Sequence, residues 1–521
     1  MVLKTLTALS CALYMLPKLR LGVHMLQQEF YLNENYFNWV KKHPGKNFLA
    51  GDIFLPVLVL LLGTFISNQN VQLIIWLLLN ILGFIHLCKQ RTKAKKPLVF
   101  TARVKRLTVT GVFLLAAWCI VIYVLPVRIA LAAQIIANLF TFLFVLAANF
   151  INKPVEKAVA GYYIRDAKKI ISKNRGLKVI GVTGSYGKTS SKYILTEMLS
   201  RKFTTLMTPE SYNTTMGVVR TVREKLKPVH QIFVCEMGAQ NTGEIKEICD
   251  IVSPDYAIIT SIGPQHLETF KSIENIVKTK FELYDALVDK SNSVVNLSSE
   301  LIKQNKPGSS IGYSLTETEG GEYFAEDINY GPSGASFNIC GKGIEPFRVE
   351  SKLLGKHNIL NIVGAAALAL KLGMAPEEIA VAVKRIKPVP HRLQPIKQAG
   401  GILVIDDAFN SNIEGAKSAV EVLGSFEKGK RMLITPGMVE LGEKEYELNK
   451  IFGQHAAKNC DYIILVGKKQ TKPIKDGLGD FPEESLFIAS DLNEALAHMH
   501  KIVSPGWTVL FENDLPDLYN A

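Results

Sequence analysis

Two long stretches near the start of the chain are almost free of charge. Between Asp52 and Leu87 the only charged residue is Asp52 itself, and between Leu107 and Asn152 the only one is Arg128. The first stretch resolves into apolar runs over 53–67 and 71–88, parted by the polar turn Ser67-Asn68-Gln69-Asn70. The second is too long for one membrane crossing, which takes about 20 residues. It reads as two helices with a turn at Pro126-Val127-Arg128. The pattern predicts four transmembrane helices within 51–152, with a hairpin dipping into one leaflet as the alternative for the first two. Between the second and third runs lie Lys89, Arg91, Lys93, Lys95, Lys96, Arg103, Lys105 and Arg106. Lys and Arg concentrate on cytoplasmic loops, which puts this segment in the cytoplasm and, for an even number of crossings, both chain ends with it. Lys41, Lys42 and Lys46 before the first run agree, as do Lys153, Lys157, Arg165, Lys168 and Lys169 after the last. The expected location is the cytoplasmic (inner) membrane, multi-pass, with the catalytic domains in the cytoplasm. Residues 1–50 are expected to form an amphipathic or interfacial segment. Their apolar run Thr5–Pro17 looks like a signal-peptide core, but Lys18 and Arg20 stand where a cleavage site would be.

From residue 153 the pattern changes. Residues 155–175 read as an amphipathic linker helix, followed by short apolar strands at 177–182, 231–236, 256–261, 293–296 and 309–313. Helical periods fall between them at 189–201, 243–249 and 273–289, and again at 358–372. Such alternation predicts an α/β fold with a mostly parallel sheet. The Gly-rich stretch 320–355 departs from it and reads as an excursion of antiparallel strands. Pro388-Val389-Pro390 marks a boundary, after which strands at 401–405, 431–435, 462–466, 486–488 and 508–511 alternate with helices as a second doubly wound domain. The expected organisation is the segment 1–50, the transmembrane helices 51–152, a central ATP-binding domain 153–390 and a C-terminal Rossmann-like domain 391–521.

Composition changes this picture little. The chain of 521 residues is 48% apolar and 21% charged, near the soluble average, and the apolar excess sits in the first third. A net charge of +13 invites a nucleic-acid partner, but the basic cluster beside the apolar runs accounts for it better, and no nucleic acid is expected. Seven scattered cysteines form no CxxC pair and no His/Cys spacing that suits zinc, so reduced, buried thiols in a cytosolic domain are expected.

The candidate chemistry begins at Gly181-Val-Thr-Gly-Ser-Tyr-Gly-Lys-Thr-Ser190. A strand entering a Gly-rich turn and then Lys-Thr at a helix start makes an anion cradle of backbone N–H groups. Gly184, Ser185, Gly187, Lys188, Thr189 and Ser190 are the candidate ATP-binding residues. Lys188 would reach the β- and γ-phosphates, and the Thr189 hydroxyl would hold Mg²⁺. The strict G-x4-G-K-[ST] spacing fails, because position 182 is Val and the nearest glycine is Gly181.

That variant spacing resembles the loop of the Mur ligases and folylpolyglutamate synthases, and further motifs follow in the family's order over about 175–510. Phe233-Val-Cys-Glu236-Met-Gly238-Ala239 is similar to the Glu-x-Gly-Ala motif, which implies Glu236 as a Mg²⁺ ligand. Ile262-Gly-Pro-Gln-His266-Leu resembles the segment whose histidine is a second metal contact and part of the catalytic set, although Ser261 stands where several relatives have Asn. Lys278-Thr-Lys280 resembles the helix bearing a carbamylated lysine, which implies that role for Lys280. Leu354-Gly-Lys-His357-Asn358-Ile-Leu-Asn361 resembles a nucleotide-binding signature. Asn296 matches the residue that meets adenine, and Arg392 the arginine that contacts ATP phosphates, with His391 where the family usually has Gly. Thr208–Gly217 resembles the substrate-side loop, implicating Ser211, Asn213 and Thr214. Asp406-Asp407-Ala-Phe-Asn410-Ser-Asn412 and Met438-Val-Glu440-Leu-Gly442 are most like the branch that adds D-Ala-D-Ala to the muramyl tripeptide. They imply Asp407 on ATP and Asn410 and Asn412 on substrate.

The resemblance implies a ligase in which a carboxylate attacks the γ-phosphate of ATP, and an amine then displaces phosphate from the acyl phosphate. The cofactors implied are ATP and two Mg²⁺ ions. The partners implied are a muramyl-peptide-like acceptor, an amino acid or dipeptide, and the membrane. The sequence departs from the family at both ends. Membrane spans stand in place of the small UDP-binding domain, and Phe511-Glu-Asn-Asp514 stands where relatives read Val-Lys-Gly-Ser. A lipid-linked acceptor and a poly-γ-glutamate-type substrate are therefore alternatives. A membrane-tethered P-loop ATPase is the alternative of a different class; it would expect an Asp-ended strand where Glu236 stands.

Overall fold

A computed structural model describes all residues except 48–49, 67, 90–96, 266, 399, 409–411, 440 and 515–521. The chain forms two compact units, Met1–Tyr162 and Tyr163–Ala521.

The first unit is helical. Its helices run over Val2–Gln28, Asn33–Lys42, Pro44–Asn47, Ala50–Phe65, Gln69–Lys89, Ala102–Val124 and Val127–Leu139, followed by the start of Thr141–Lys173. Three of them, Val2–Gln28, Gln69–Lys89 and Ala102–Val124, are long and apolar enough to cross a membrane. The pair Val127–Leu139 and Thr141–Lys173, bent by 70°, makes a fourth if counted as one span. The first helix departs from the sequence expectation. It does not stop with the apolar run at Pro17 but continues through that proline to Gln28. Its buried face includes Thr7, Ser10 and Gly22, so it never showed as an unbroken apolar run. It packs on the helices Gln69–Lys89 and Ala102–Val124, with Asn80 donating to Ser10 Oγ at 3.1 Å. Near the bend, Thr141 Oγ1 donates to the carbonyls of Ala137 and Asn138 at 3.0 Å each, and Lys18 Nζ donates to the same Asn138 carbonyl. These donors satisfy oxygens that a broken helix leaves open. Lys18 also pairs with the fully buried Asp52 at 2.6 Å. The linker helix expected at 155–175 is the second half of the single helix Thr141–Lys173.

The second unit holds two sheets. The central one comprises β1 (Lys178–Thr183), β2 (Thr205–Met207), β3 (Ile232–Glu236), β4 (Tyr256–Ile259), β5 (Ser293–Asn296), β6 (Ile311–Tyr313), β7 (Tyr323–Gly331), β8 (Gly334–Gly341) and β9 (Ile344–Ser351). Their order is β2-β3-β1-β4-β5-β6-β7-β8-β9. The neighbours from β2 to β7 pair in parallel, and β7 to β9 form the expected antiparallel excursion. Apolar side chains alternate faces, as a sheet covered on both sides requires. Ile180, Val182, Ile232 and Val234 meet the helices Lys188–Leu199 and Lys356–Lys371. Val179, Phe233 and Cys235 meet Thr215–Lys225 and Glu244–Val252.

The C-terminal sheet comprises β10 (Gln394–Lys397), β11 (Leu403–Asp407), β12 (Arg431–Thr435), β13 (Tyr462–Val466), β14 (Leu486–Ala489) and β15 (Thr508–Glu512), in the order β10-β11-β15-β12-β13-β14. The five strands expected here are all parallel, and β10 adds an antiparallel edge.

Candidate functional site

The chain reverses direction across the central sheet on either side of β1, which lies between β3 and β4. In open α/β sheets ligands bind at such a point, beyond the strands' C-terminal ends. The Gly-rich loop leaves β1 there, Glu236 ends β3, Thr260 and Ser261 follow β4, and Asn296 ends β5.

The loop is held by the segment after β4. Ser185 N donates to Ser261 O at 2.6 Å, Ser185 Oγ to Gly263 O at 3.0 Å, and Ser261 Oγ to Tyr186 O at 3.2 Å. Gly184, at φ +150°, leaves no room for a side chain, because a Cβ would stand 2.1 Å from Thr260 Oγ1. Gly187, at φ +81°, starts the helix Lys188–Leu199 in the left-handed region. Gly181 explains the irregular spacing. It lies inside β1, where a Cβ would come 2.5 Å from Leu283 Cδ1. It therefore seats the helix Ile273–Ala286 against the strand rather than shaping the turn.

Lys188 Nζ donates to the loop carbonyls of Gly184 and Ser185 at 2.7 and 2.9 Å. Desolvation in this narrow cradle pulls its pKa down to about 8, against the pull of Glu236. Ser190 is buried in the same helical turn. Thr189 Oγ1 donates to Glu236 Oε1 at 3.2 Å, as does Asn213 Nδ2 at 3.1 Å. Glu236 Oε2 is buried without a hydrogen bond among the described residues and faces Lys192 Nζ at 2.9 Å. A buried carboxylate at a strand end, next to a hydroxyl and a phosphate cradle, fits a hard divalent cation such as Mg²⁺. His266 lies outside the described residues.

Lys280 is buried on the helix Ile273–Ala286. Burial, then the charge of Lys188, pull its pKa down to about 7. Asn361 Oδ1 accepts from Ser191 Oγ at 3.0 Å and faces Gly187, so the helix Lys356–Lys371 buttresses the loop. Asn358 is turned inward, donating to Leu354 O at 2.8 Å. His357 Nδ1 lies 2.9 Å from Ser418 Oγ on the C-terminal helix Ile413–Gly424; burial and Arg392 pull its pKa down to about 4, leaving a neutral ring. Asn296 Oδ1 accepts from Ser298 N at 2.9 Å.

Arg392 faces the same region; burial pulls its pKa down, and the charges of Asp407 and Glu236 oppose that shift. Asp407 Oδ1 accepts from Leu393 N at 3.1 Å, and burial raises its pKa to about 6. His391 and Leu393, either side of Arg392, hold φ +58° and +43°. The residue in the glycine position thus takes the left-handed backbone a glycine would. Of the expected substrate residues, Thr214 and Asn412 cap helices through Gly217 N and Gly415 N. Ser211 is exposed, and Asn410 lies outside the described residues. The sequence reading missed Lys192, Asp406 and Ser418. The spacing of Lys192 from Lys188 on one helix was the available signal.

The Mur ligase middle domain matches residues 182–369 and the Mur ligase, glutamate ligase domain matches 391–512. UDP-N-acetylmuramoyl-tripeptide–D-alanyl-D-alanine ligase of Bacillus subtilis (strain 168) is 31% identical over 345 residues, 65% of this chain and 73% of the relative. The crystal structure of MurF from Acinetobacter baumannii has a TM-score of 0.61 at 28% identity, covering 69% of this chain and 78% of that one. The MurF ligase of Thermotoga maritima in complex with ADP has the same fold, with a TM-score of 0.61 at 24% identity over 69% of this chain and 81% of that one.

Proposed function

The chain belongs to the Mur ligase family and is an ATP-dependent carbon–nitrogen ligase; from that premise we propose that it joins D-alanyl-D-alanine to the carboxylate of a muramyl tripeptide in cell-wall synthesis. The observation that carries this reading is one focus of groups from five chain segments: Lys188 with Thr189, Glu236, Lys280, Arg392 and Asp407. It agrees with the substrate named for the Bacillus subtilis relative.

In this reading the acceptor carboxylate attacks the γ-phosphorus of ATP and the bond to ADP breaks. The amine then adds to the acyl carbon, loses a proton, and phosphate leaves. Lys188 leaves its two loop carbonyls to hold the transferring phosphoryl group, and Arg392 meets the nucleotide phosphates from the C-terminal domain. Asp407 orients the ATP. Glu236 and the Thr189 hydroxyl would hold Mg²⁺, which when bound offsets charge gathering on the phosphoryl oxygens. Lys280, whose pKa of about 7 leaves a substantial share of free amine near neutral pH, is suited to carbamylation, since only the free amine attacks CO₂.

The helical unit is read as a membrane domain, from the three apolar helices and the basic segment beside them, with the ligase domains on the cytoplasmic side. That arrangement favours a membrane-proximal acceptor as the second reading. The test offers the full-length protein ATP, Mg²⁺, UDP-linked and lipid-linked muramyl tripeptides, and a panel of amines, with mass spectrometry of the products. A D-alanyl-D-alanyl adduct on the UDP-linked tripeptide is the expected result. ADP release with another amine alone would refute the dipeptide assignment, and turnover confined to the lipid-linked acceptor would favour the second reading.

A further inference from the structure

Lys192 lies one turn into the phosphate-loop helix, and its side chain has no exposure to solvent. A lysine that deep requires a counter-charge and acceptors for its protons. It has both. Its Nζ stands 2.9 Å from Glu236 Oε2 and donates to the carbonyl of Glu210. Glu210 is one of the non-glycine residues at positive φ, at +44°. The surrounding segment is tied to Glu236 at two further points: Glu236 N donates to Thr208 Oγ1 at 3.0 Å, and Asn213 Nδ2 donates to the carboxylate. Asn213 O also accepts from Gly238 N at 2.7 Å. Segment 208–213 therefore wraps Glu236, and Lys192 is clamped between the carboxylate and the turn of that segment.

We propose that Lys192 is a positioning residue for the ligase reaction. Its ammonium is a built-in counter-ion that aims the Glu236 carboxylate at the phosphate loop and, through the Glu210 carbonyl, sets the 208–213 segment. The metal-related part rests on the reading of Glu236 as the Mg²⁺ carboxylate. Sharing that carboxylate with an ammonium has a definite consequence. Lys192 holds down the affinity of Glu236 for a divalent cation while keeping its orientation fixed. A lysine that merely filled space would have no such effect.

The test uses full-length protein stripped of metal, with Mn²⁺ alone as the probe, read by electron paramagnetic resonance. Lys192→Met should bind Mn²⁺ at least about tenfold tighter than the unsubstituted protein, since a cation is removed at contact distance. In metal-free buffer Lys192→Met should melt well below the parent, and Lys192→Met/Glu236→Gln should recover most of that loss. Unchanged Mn²⁺ affinity together with a double variant no more stable than Lys192→Met would overturn the proposal. If Lys192→Met does not fold, Lys192→Gln, which keeps a donor for Glu210 but not the charge, takes its place in the same comparisons. Mn²⁺ binding unaffected by Glu236→Gln would refute the metal assignment instead, and the metal-free melts would then decide the counter-ion role by themselves.

Discussion

His391 Nδ1 lies 2.8 Å from Asp406 Oδ2, and this contact ties a left-handed residue to the strand that also carries Asp407. The turn at His391–Leu393 aims Arg392 at the site, so its backbone matters more than the chemistry of its first side chain. His391→Gly should keep the turn and leave KM for ATP within a few-fold of the parent. His391→Val, β-branched at φ +58°, should cost about 1–3 kcal/mol locally and raise KM for ATP more than it lowers kcat. Thermal melts and ATP titrations of the two variants check this; identical behaviour would dismiss the turn as the cause.

Lys280 gives a pH dependence with a definite sign. Its pKa is pulled down to about 7 in the folded protein, whereas the unfolded chain keeps an ordinary lysine. Above about pH 7 the unfolded state therefore binds the extra proton, and this group's contribution to stability rises with pH up to the ordinary lysine range. Lys280→Met should flatten that part of the melting-temperature profile. If the lysine works as a carbamate, removing bicarbonate should slow turnover of the parent and leave the residual activity of Lys280→Met unchanged.

Gly181→Ala places a Cβ 2.5 Å from Leu283 Cδ1, on the helix that carries Lys280. Overpacking of this kind costs about 1–3 kcal/mol, and the helix must shift to accept it. Activity should fall further than the loss of stability explains, and adding Leu283→Ala should restore part of both. Kinetics on the two single variants and the double variant measure the coupling. Simple additivity would show that the close approach does not position the lysine.

Asp407 should make nucleotide binding sensitive to acid. Its pKa is raised to about 6 by burial, so KM for ATP should climb as pH falls through that value. Asp407→Asn should show a raised KM with no such climb. Because the folded state holds this proton more tightly than the unfolded one, the group's contribution to stability declines as pH rises from about 4 to about 6.

Much of this arrangement was legible in the residues. Alternating strands and helices placed β1, β3, β4, β5 and the C-terminal domain within a few positions, because buried parallel strands must be nearly continuous apolar runs. Motif order singled out Lys188, Glu236, Lys280, Arg392 and Asp407, and the fold brings these within electrostatic reach of one another. Harder to see was anything defined by packing rather than pattern. The helix Val2–Gln28 hides its buried face behind Thr7 and Ser10. Lys192 looks like any helix lysine until the strand bearing Glu236 is laid against it. Asn358, Thr214 and Asn412 are polar residues at motif positions, and their hydrogen bonds are local ones that finish helices and turns.

The helix Lys356–Lys371 touches three separate parts of the machinery. His357 reaches Ser418, Asn361 takes the Ser191 hydroxyl, and Gly364 lies under Tyr313, whose ring would stand 2.6 Å from an added Cβ. Beyond Gly364 the helix is small and buried from Ala365 to Ala369, Leu368 apart. Few replacements could be absorbed at any of these places. In a saturation library this helix should therefore return among the fewest neutral variants per position. In a distant descendant whose phosphate loop had drifted, its run of small residues would be among the last marks of ancestry to fade.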